Sequence, residues 1–458
     1  MMPEKWTPAA FQKKAISFIV SRACAGIFDD PGMRKTSTML AAFNVLRSKG
    51  VVERMLVLSP LRPAQATWPN EVARWEEFKH LDLRVLHGAD KTWHNAKEAH
   101  VSVINYEGVP WLMNEARMRK EWPWQVLVID ESTAYKHTNT QRFKVLKPHL
   151  DKFHRRYILT GTPSPNGLID LFGQVFVLDL GKSLTPHITK YRQEFFTPDQ
   201  WGFNWKLKPG SEERIYKLLK PLVLRRAAED YLDLPPLIYN RVDVTLPPDA
   251  MRVYRQMEAV LVADVEGGRV TAANVAAAVG KCRQIANGGM YGAGEDGERV
   301  THSLHNAKVD AVKELIDELS GQPALVAYEF DSDRERLQKA LGKDTPFIGG
   351  GVSGKRFKEI ESEWNKGQIP VLLAQPASAA LGLNLQAGGH TVIEAGLTWN
   401  LEHRQQLVRR LYRSGQTMPV TVHSIVAKGT VDELVLKVLA AKDRSQGALL
   451  DALKERKR

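Results

Sequence analysis

Short apolar runs of strand length recur through the first part of the chain, and helix-like amphipathic stretches separate several of them. The runs are Ala23–Phe28, Met55–Ser59, Val101–Asn105, Val126–Asp130 and Tyr157–Thr160. Near-continuous aliphatic runs that alternate with helices are typical of a parallel sheet buried on both faces. The pattern therefore predicts an N-terminal α/β lobe over residues 1–180.

A second series of apolar runs begins after residue 305 and predicts another α/β lobe over residues 306–445. Its runs are Ala324–Phe330, Val371–Gln375, Thr391–Glu394 and Val420–Ile425, followed by a predicted helix from Val431 to about Lys442. Amphipathic segments between the two series predict a helical insert over residues 181–305. These segments are Glu212–Leu224, Ala250–Val265 and Ala272–Ala286. The predicted fold class is α/β: two tandem lobes of parallel sheet flanked by helices, the insert between them, and a basic C-terminal tail over residues 446–458.

Composition narrows the class of protein. The 458 residues include 64 Lys and Arg against 52 Asp and Glu, which gives a net charge of +12. No window approaches the ~20 apolar residues that cross a bilayer, so a membrane-spanning protein is excluded. The N-terminus lacks the apolar core of a signal peptide, and we expect a cytoplasmic protein. The two cysteines, Cys24 and Cys282, form no CxxC pair, which argues against disulfide frameworks and cysteine zinc sites.

The first candidate site lies in residues 30–36, which read Asp-Pro-Gly-Met-Arg-Lys-Thr and follow a predicted strand. Where a strand, a turn with glycine and a helix follow one another, backbone N–H groups can bind phosphate. Lys35 would add a point charge, and the Thr36 hydroxyl could bind Mg²⁺. Arg34 stands where a strict phosphate-binding loop has glycine. An ordinary turn that contains Gly and Lys therefore remains an open alternative.

The second candidate is the pair Asp130 and Glu131, which ends the apolar run Val126–Asp130. Carboxylates at the carboxyl end of a parallel strand lie where α/β proteins bind ligands. Asp130 is a plausible Mg²⁺ ligand, and Glu131 could orient or deprotonate an attacking water. The alternative is a helix N-cap after a strand.

Two further segments carry weaker signals. Residues 159–166, Leu-Thr-Gly-Thr-Pro-Ser-Pro-Asn, predict by themselves only a turn. Arg410 and Arg413 are three residues apart, so we expect them to share one helix face, where two guanidinium groups could stabilise charge on a phosphoryl group in transfer. The alternative is a solvated basic helix face.

The order and spacing of these pieces resemble the Swi/Snf-type ATPases of helicase superfamily two over nearly the whole chain. Twelve segments are similar to that family and follow its order. They are WTPAAFQKKAISFIV, GIFDDPGMRKT, LVLSPLRPAQATWPNEVARW, VSVINYEGV, VLVIDES, YILTGTPSPN, LLKPLVLRRAAEDYLDLPPL, VGKCRQIANG, ALVAYEF, LGLNLQAGGHTVI, LTWNLEHRQQLVRRLYRSGQ and VTVHSIVAKGTVDELV.

The resemblance implies two RecA-like lobes that use ATP and Mg²⁺, and it suggests roles for individual residues. Nucleotide binding would fall to Gln12, Asp30, Pro31, Gly32, Met33, Arg34, Lys35, Thr36 and Gly382. The catalytic residues would be Lys35, Asp130, Glu131, Arg410 and Arg413, with Thr36 and Asp130 at the metal. Coupling of hydrolysis to movement would involve Thr160, Gly161, Thr162 and Gln406. Nucleic acid would contact Arg62, Thr67, Asn384 and Trp399.

The chain departs from the family pattern at two places. The acidic motif reads Asp-Glu-Ser-Thr where many relatives have Asp-Glu-Ala-His, so the histidine that links hydrolysis to the second lobe is missing. Arg34 replaces a glycine beside the catalytic lysine. Because the other catalytic positions are retained, we expect an active ATPase.

Three hypotheses for function follow. The leading one is an ATP-dependent motor that translocates on or remodels duplex DNA, and the charge of +12 suits backbone-tracking binding. The others are a strand-separating DNA or RNA helicase and a hydrolysis-deficient DNA-binding scaffold. We expect a monomer without a membrane partner, in the cytoplasm of a bacterium or a phage-infected host, with a possible recruiting protein of unknown identity.

Overall fold

The computed structural model describes residues 4–198, 205–266, 272–293 and 299–453. The chain divides into two compact units. Unit 1 comprises Met1–Asp233 and Lys442–Arg458, and unit 2 comprises Leu234–Ala441. Each unit contains one large parallel sheet.

Seven parallel strands form the sheet of unit 1. The strands of this unit are β1 (Cys24–Ile27), β2 (Met55–Ser59), β3 (Leu83–Val85), β4 (Val101–Asn105), β5 (Val126–Asp130), β6 (Arg155–Leu159), β7 (Phe196–Pro198), β8 (Trp205–Leu207) and β9 (Val223–Leu224). The sheet order is β3-β4-β2-β5-β6-β1-β9, and β7 pairs with β8 separately and antiparallel. Every pairing in the large sheet is parallel.

Nine helices belong to the described part of unit 1. They are α1 (Ala10–Val20), α2 (Lys35–Ser48), α3 (Trp68–Arg74), α4 (Trp93–Glu98), α5 (Val109–Arg119), α6 (Gln141–Leu146), α7 (Leu171–Asp179), α8 (Ile188–Phe195) and α9 (Ser211–Leu219). Alternate residues of β2 join two different buried clusters: Leu56 and Leu58 pack in one, and Met55 and Val57 in the other. Since successive side chains of a strand point to opposite faces, the sheet is buried on both sides.

Unit 2 repeats this architecture with six parallel strands. Its strands are β10 (Leu237–Val244), β11 (Gly289–Ala293), β12 (Arg299–Ser303), β13 (Ala324–Ala327), β14 (Phe347–Ile348), β15 (Val371–Ala374), β16 (Thr391–Glu394) and β17 (Val420–Ala427). The sheet order is β10-β17-β16-β13-β15-β14, and β11 and β12 form an antiparallel hairpin. All pairings of the large sheet are again parallel.

The remaining helices are α10 (Pro248–Glu266), α11 (Ala272–Asn287), α12 (Ala307–Glu318), α13 (Asp331–Leu341), α14 (Gly354–Asn365), α15 (Leu401–Val408) and α16 (Val431–Leu453). The last helix belongs to unit 2 as far as Ala441 and to unit 1 from Lys442 onward. Its Leu449, Leu450 and Leu453 are buried in a core cluster of unit 1. Among the described helices, none combines the length and the apolar character needed to cross a membrane.

The predicted α/β fold class with two tandem parallel sheets is confirmed. The segment predicted as a helical insert, 181–305, is shared between the two units, because its strand β9 joins the sheet of unit 1 and its strand β10 joins the sheet of unit 2. The predicted helix Glu212–Leu224 is wrong at its end. Helix α9 stops at Leu219 because Pro221 has no N–H to continue the ladder, and the following apolar residues form β9.

The C-terminal helix is longer than predicted, since it continues past Lys442 to Leu453. Its apolar residues there pack in unit 1, and tertiary burial extends a helix whose own pattern fades. The predicted basic tail, residues 446–458, thus begins as helix, and residues 454–458 lie outside the described residues.

Candidate nucleotide-binding site

Four neighbouring strands of unit 1 bring most of the predicted site to one edge of the sheet. Strands β5, β6, β1 and β9 lie side by side and run parallel, so their carboxyl ends meet at one edge. Asp130 ends β5, Thr160 follows β6, and residues 30–36, here called the phosphate loop, follow β1. This is the edge at which open α/β sheets bind ligands.

The phosphate loop turns sharply into helix α2. Gly32 has a φ of 86°, and Arg34 has φ 53° and ψ 42°, both in the left-handed region. The first helical bond runs from the Thr38 N–H to the Arg34 carbonyl at 3.1 Å. By helix geometry, the N–H groups of the preceding first turn, which includes Lys35 and Thr36, have no acceptor within the helix, so this end of α2 favours an anion.

Lys35 is held within the same turn. Its Nζ donates to the carbonyl oxygens of Asp29 at 2.8 Å and Asp30 at 3.3 Å. The side chain is half-buried, and Thr36 beside it is half-buried as well. The ammonium group therefore lies at the start of α2, where both its charge and the helix end favour phosphate.

Asp130 is buried beside this lysine. Its Oδ2 accepts hydrogen bonds from Ser59 Oγ at 3.1 Å and Trp68 Nε1 at 3.0 Å. Burial raises the pKa of the Asp130 carboxyl, whereas the Trp68 N–H and the charge of Lys35 act against that rise. Both residues lie at the same edge of the sheet, Asp130 at the end of β5 and Lys35 after β1.

Trp68 and Ser59 are contacts that our residue-by-residue prediction missed. A π-helical turn, Pro63–Thr67, follows strand β2 and leads directly into α3, so that Trp68 is fully buried. Single-turn π segments are frequent at functional sites. The signal was present in the sequence, because the segment resembling the family contains this tryptophan, but only the fold shows what its indole contacts.

Glu131 is held in an unusual backbone conformation. Its φ of 52° and ψ of 62° are left-handed, as at Arg34, and two of the five non-glycine residues of the described chain with positive φ are therefore in this site. The Tyr106 hydroxyl donates to the carbonyl oxygens of Asp130 and of Glu131, the latter at 3.1 Å. Strained residues persist where surrounding contacts hold them, and they cluster at functional sites.

Residues 160–163, which include the predicted coupling residues Thr160, Gly161 and Thr162 and are here called the coupling segment, pack against the phosphate loop. A Cβ placed on Gly161 would lie 2.7 Å from Pro31 Cδ and 3.2 Å from the Asp29 carbonyl oxygen. The Thr160 N–H donates to the Ile27 carbonyl of β1 at 3.1 Å, and the Thr162 N–H donates to Thr160 Oγ1 at 3.1 Å. Only a glycine allows this close approach.

A buried amide links the coupling segment to the acidic motif. Gln174 Oε1 accepts a hydrogen bond from Ser132 Oγ at 2.7 Å, and its Nε2 donates to the Pro163 carbonyl at 2.7 Å. Ser132 belongs to the Asp-Glu-Ser-Thr variant of the motif. The substituted motif thus has its own connection to the coupling segment, through a glutamine that the sequence did not single out.

Gln12 contacts helix α2 in this structure. The side chain is fully buried, and its Nε2 donates to Ser37 Oγ at 3.3 Å and Thr38 Oγ1 at 3.2 Å. Its Oε1 accepts from the Ala9 N–H at 3.2 Å. Gln12, predicted to bind nucleotide, therefore joins α1 to the helix that follows the phosphate loop.

The carboxyl group of Asp30 is also engaged by protein. It accepts two hydrogen bonds from Arg225 and one from the backbone N–H of Ala228, at 3.1, 3.2 and 2.8 Å. The preceding Asp29 is bonded to Arg226. Sequence analysis missed both arginines, although they lie in a segment that resembles the family.

The predicted residues of unit 2 form a separate group. Arg410 Nη1 donates to the Leu383 carbonyl at 3.3 Å, and the Leu385 N–H donates to the Arg410 carbonyl at 3.2 Å. These bonds place Arg410 beside the segment that contains Gly382 and the exposed Asn384. Burial lowers the pKa of Arg413, and the charge of Glu361 opposes this effect.

The predicted helix face for Arg410 and Arg413 is wrong. Helix α15 ends at Val408, and the chain continues in tighter turns in which the Arg410 N–H donates to the Leu407 carbonyl at 3.0 Å. Gly415, with a φ of 94°, follows these turns. The carbonyl of Arg410 is bonded to Leu385 instead of to a residue of its own helix, so a tertiary contact replaces the helical ladder.

The other predicted residues lie near these segments. In unit 1, Arg62 precedes the π-helical turn that follows β2 and Thr67 is its last residue, and both are half-buried. In unit 2, Trp399 packs against the cluster that contains Leu397 and Leu401. Gln406 is buried, and its Nε2 donates to Glu402 at 3.4 Å.

The residues of unit 1 fit a nucleotide with Mg²⁺. Mg²⁺ prefers one or two carboxylates together with water and nucleotide oxygens, and Asp130 with the Thr36 hydroxyl supplies such a donor set. The hydroxyl groups of Thr162 and Ser164 are buried and lack a hydrogen-bond partner within the described residues. Buried polar atoms of this kind are usually completed by a ligand or by water.

Comparisons with known proteins match two domain families in succession along the chain. The SNF2-related domain family matches residues 11–289, and the helicase conserved C-terminal domain family matches residues 307–415. Protein p41 of Acyrthosiphon pisum secondary endosymbiont phage 1 is 34% identical, over 98% of this chain and 99% of the phage protein. The human DNA annealing helicase and endonuclease ZRANB3 is 24% identical over 97% of this chain. The chromatin-remodeling complex ATPase ISW2 of Saccharomyces cerevisiae is 24% identical over 95% of this chain.

The alignments with the two eukaryotic relatives each extend over 40% of the relative's own length. The phage protein is matched almost from end to end. One family match covers more than half of the chain, and the other follows it in sequence. The chain therefore belongs to the SNF2-related family of helicase-like ATPases.

Proposed function

We propose that this protein is an ATP-driven motor that translocates on or remodels duplex DNA. The observation that carries the proposal is the convergence of three motifs at one sheet edge of unit 1. Lys35 follows β1, Asp130 ends β5 and Gly161 follows β6. Lys35 is bonded to the carbonyls of Asp29 and Asp30, and Gly161 approaches Pro31 of the phosphate loop. Positioning and charge stabilisation of this kind are what phosphoryl transfer requires.

Each residue has a proposed role in hydrolysis. The N–H groups of α2 and the Lys35 ammonium bind the phosphates, while Thr36 and Asp130 hold Mg²⁺. The metal, when bound, neutralises phosphate charge. Glu131 orients the attacking water and accepts its proton. We propose for Arg410 and Arg413 of unit 2 a role in stabilising the charge that develops on the phosphoryl group.

Duplex DNA is the proposed track. The net charge of +12 favours binding to a phosphate backbone without sequence preference. The human relative is named a DNA annealing helicase and the yeast relative a chromatin-remodeling ATPase. We assign the nucleic-acid contacts to Arg62, Thr67, Asn384 and Trp399. Strand separation remains the second candidate function because one relative carries the name helicase.

Steady-state ATP hydrolysis tests this proposal. The purified protein is assayed alone and with single-stranded DNA, duplex DNA and RNA at one low salt concentration. We expect the largest stimulation with duplex DNA, and no turnover from Lys35→Ala or Glu131→Gln. Stimulation by single strands alone would favour the helicase, and a strand-displacement assay with a labelled duplex would then decide. The absence of turnover in every condition would instead favour a DNA-binding scaffold.

We further propose that the protein acts as a monomer in the cytoplasm of a bacterium or of a phage-infected host. The phage relative supports this setting. A recruiting partner would be expected to determine where the motor acts. Light scattering coupled to size exclusion, with and without duplex DNA, tests the monomer.

A further inference from the structure

A pair of arginines holds the two aspartates at the start of the phosphate loop. Arg226 and Asp29 are both fully buried, and the Arg226 guanidinium bonds both carboxylate oxygens of Asp29. The Arg226 backbone N–H also donates to Asp29 Oδ1 at 3.1 Å. The third guanidinium nitrogen of Arg226, Nη1, donates to the carbonyl of Phe11. One side chain thus joins the start of the loop to helix α1.

Arg225 repeats this arrangement with the next aspartate. Its Nη2 lies 3.1 and 3.2 Å from the two carboxylate oxygens of Asp30, and the Ala228 N–H donates to Asp30 at 2.8 Å. This pair is slightly more exposed, with 7% of the Arg225 side chain and 16% of the Asp30 side chain accessible. We call Asp29, Asp30, Arg225 and Arg226 the Arg–Asp clamp.

Strand register explains why these residues meet. β9 pairs with β1 in parallel, with Gly26 opposite Val223 and Ile27 opposite Leu224. The Phe28 N–H continues the ladder to the Leu224 carbonyl at 2.9 Å. Strands β1 and β9 therefore end side by side, and the residues that follow them are Asp29-Asp30 and Arg225-Arg226. Two consecutive acids and two consecutive bases are paired in crossed order, Asp29 with Arg226 and Asp30 with Arg225.

The clamp acts on the groups that hold the catalytic lysine. Lys35 Nζ donates to the backbone carbonyls of Asp29 and Asp30, the residues whose carboxylates the arginines bind. A rotation of either aspartate would move an acceptor of Lys35. Buried, charge-assisted and bidentate hydrogen bonds are the strongest restraint that side chains can give such a turn.

We propose that Arg225 and Arg226 are positioning residues that hold the phosphate loop in its nucleotide-binding shape. This inference rests on the proposed function, because it assigns the clamp to ATP binding at that site. Arg225 and Arg226 belong to the last residues of unit 1 before the chain enters unit 2 at Leu234. The restraint on the loop therefore comes from the segment that connects the units.

The more exposed pair, Arg225 and Asp30, provides the test. Removing Arg226 is unsuitable, because it would leave the fully buried Asp29 carboxylate without its guanidinium partner and destabilise the fold. The dissociation constant (Kd) of a fluorescent ATP analogue with Mg²⁺ is measured for Arg225→Gln, Asp30→Asn and the double variant, together with KM and kcat for ATP. We expect Kd and KM to rise roughly tenfold in each single variant, with a smaller change in kcat. The double variant should be no weaker than the singles, because the residues act as a unit. Arg225→Lys should recover part of the affinity through its retained charge.

Arg336→Gln provides the matched control. Arg336 forms a buried ion pair with Asp333 in unit 2, at 3.1 Å, outside the proposed site. This variant should lower the melting temperature while leaving Kd unchanged. An unchanged Kd in Arg225→Gln would overturn the positioning role. So would a Kd increase in the double variant equal to the product of the two single increases, because it would indicate that Asp30 contacts the nucleotide directly. If the wild type binds the analogue without hydrolysing ATP, the motor proposal fails, but the Kd comparison still decides the clamp.

Discussion

At the residue scale, Arg34 shows how the site tolerates a departure from its family. The left-handed φ of 53° is a conformation that glycine adopts without cost, and a strict phosphate-binding loop has glycine at this position. The Arg34 side chain is exposed, so the substitution places no bulk in the core. The structure thus keeps the glycine-like turn and bears the backbone strain of a larger residue.

Replacing Arg34 by glycine should relieve that strain. We expect Arg34→Gly to raise the free energy of unfolding by about 0.5–1 kcal/mol, since the left-handed penalty exceeds the entropy that glycine loses on folding. ATP turnover should be retained. Ser320→Gly is the matched control, because Ser320 in unit 2 has a φ of 50°. Calorimetry checks both variants, and a lower stability of Arg34→Gly alone would show that the arginine side chain itself stabilises the loop.

Trp68 is the second residue whose role can be isolated. Trp68→Phe keeps most of the buried ring but removes the N–H that donates to Asp130 Oδ2. We expect the Mg²⁺ concentration for half-maximal ATP hydrolysis to rise roughly tenfold, because partners that orient a metal ligand usually contribute this much to metal affinity. Mg²⁺-dependent binding of the ATP analogue gives a second readout.

Trp124→Phe controls for the loss of a buried indole. The Trp124 side chain is also buried, and its Nε1 donates to Ser102 Oγ at 3.2 Å in the core of unit 1. This variant should be destabilised without a change in its Mg²⁺ requirement. Equal Mg²⁺ requirements in the two variants would assign Trp68 to packing alone.

At the element scale, direct contacts connect the loops after β1, β5 and β6. The coupling segment approaches the phosphate loop at Gly161, and Gln174 connects the same segment to the acidic motif. A displacement of one loop would therefore change the contacts of the other two. Such a network provides a physical route for coupling hydrolysis to a change of conformation.

Gly161→Ala tests the contact between two of these loops. The new methyl group would lie 2.7 Å from Pro31 Cδ, so the phosphate loop must shift. We expect KM for ATP to rise roughly tenfold or more, because small displacements of a binding group are costly. Gly354→Ala is the control, since its Cβ meets no atom within 4 Å. A KM unchanged in Gly161→Ala would mean that the loop adjusts without loss of binding.

At the scale of the whole molecule, net charge governs the proposed interaction with DNA. We expect the affinity for a duplex of fixed length to fall roughly tenfold or more between about 50 and 200 mM salt, as counterions released from phosphates return to the DNA. Fluorescence anisotropy measures this dependence. Duplexes of unrelated sequence and equal length should bind alike. An affinity independent of salt would contradict backbone-tracking binding.

The sequence by itself determined the features that depend on neighbouring residues. Strands β2, β4, β5 and β16 have the predicted bounds. Apolar runs, turn residues and catalytic motifs are local patterns, and neighbouring parallel strands bring their C-terminal loops to one sheet edge. The fold class therefore followed from the order of the residues, whereas the meeting of the phosphate loop with Asp130 also required the strand order of the sheet.

Tertiary structure alone decided the contacts between distant segments. Arg225 reaches Asp30 across 195 positions of sequence, and Trp68 reaches Asp130 across 62. The end of α15 at Val408 likewise depends on the bond between Arg410 and Leu385. No local pattern specifies which strands become neighbours or how their registers align. Burial of both sheet faces fixes that choice, and with it the side chains that surround the nucleotide-binding loop.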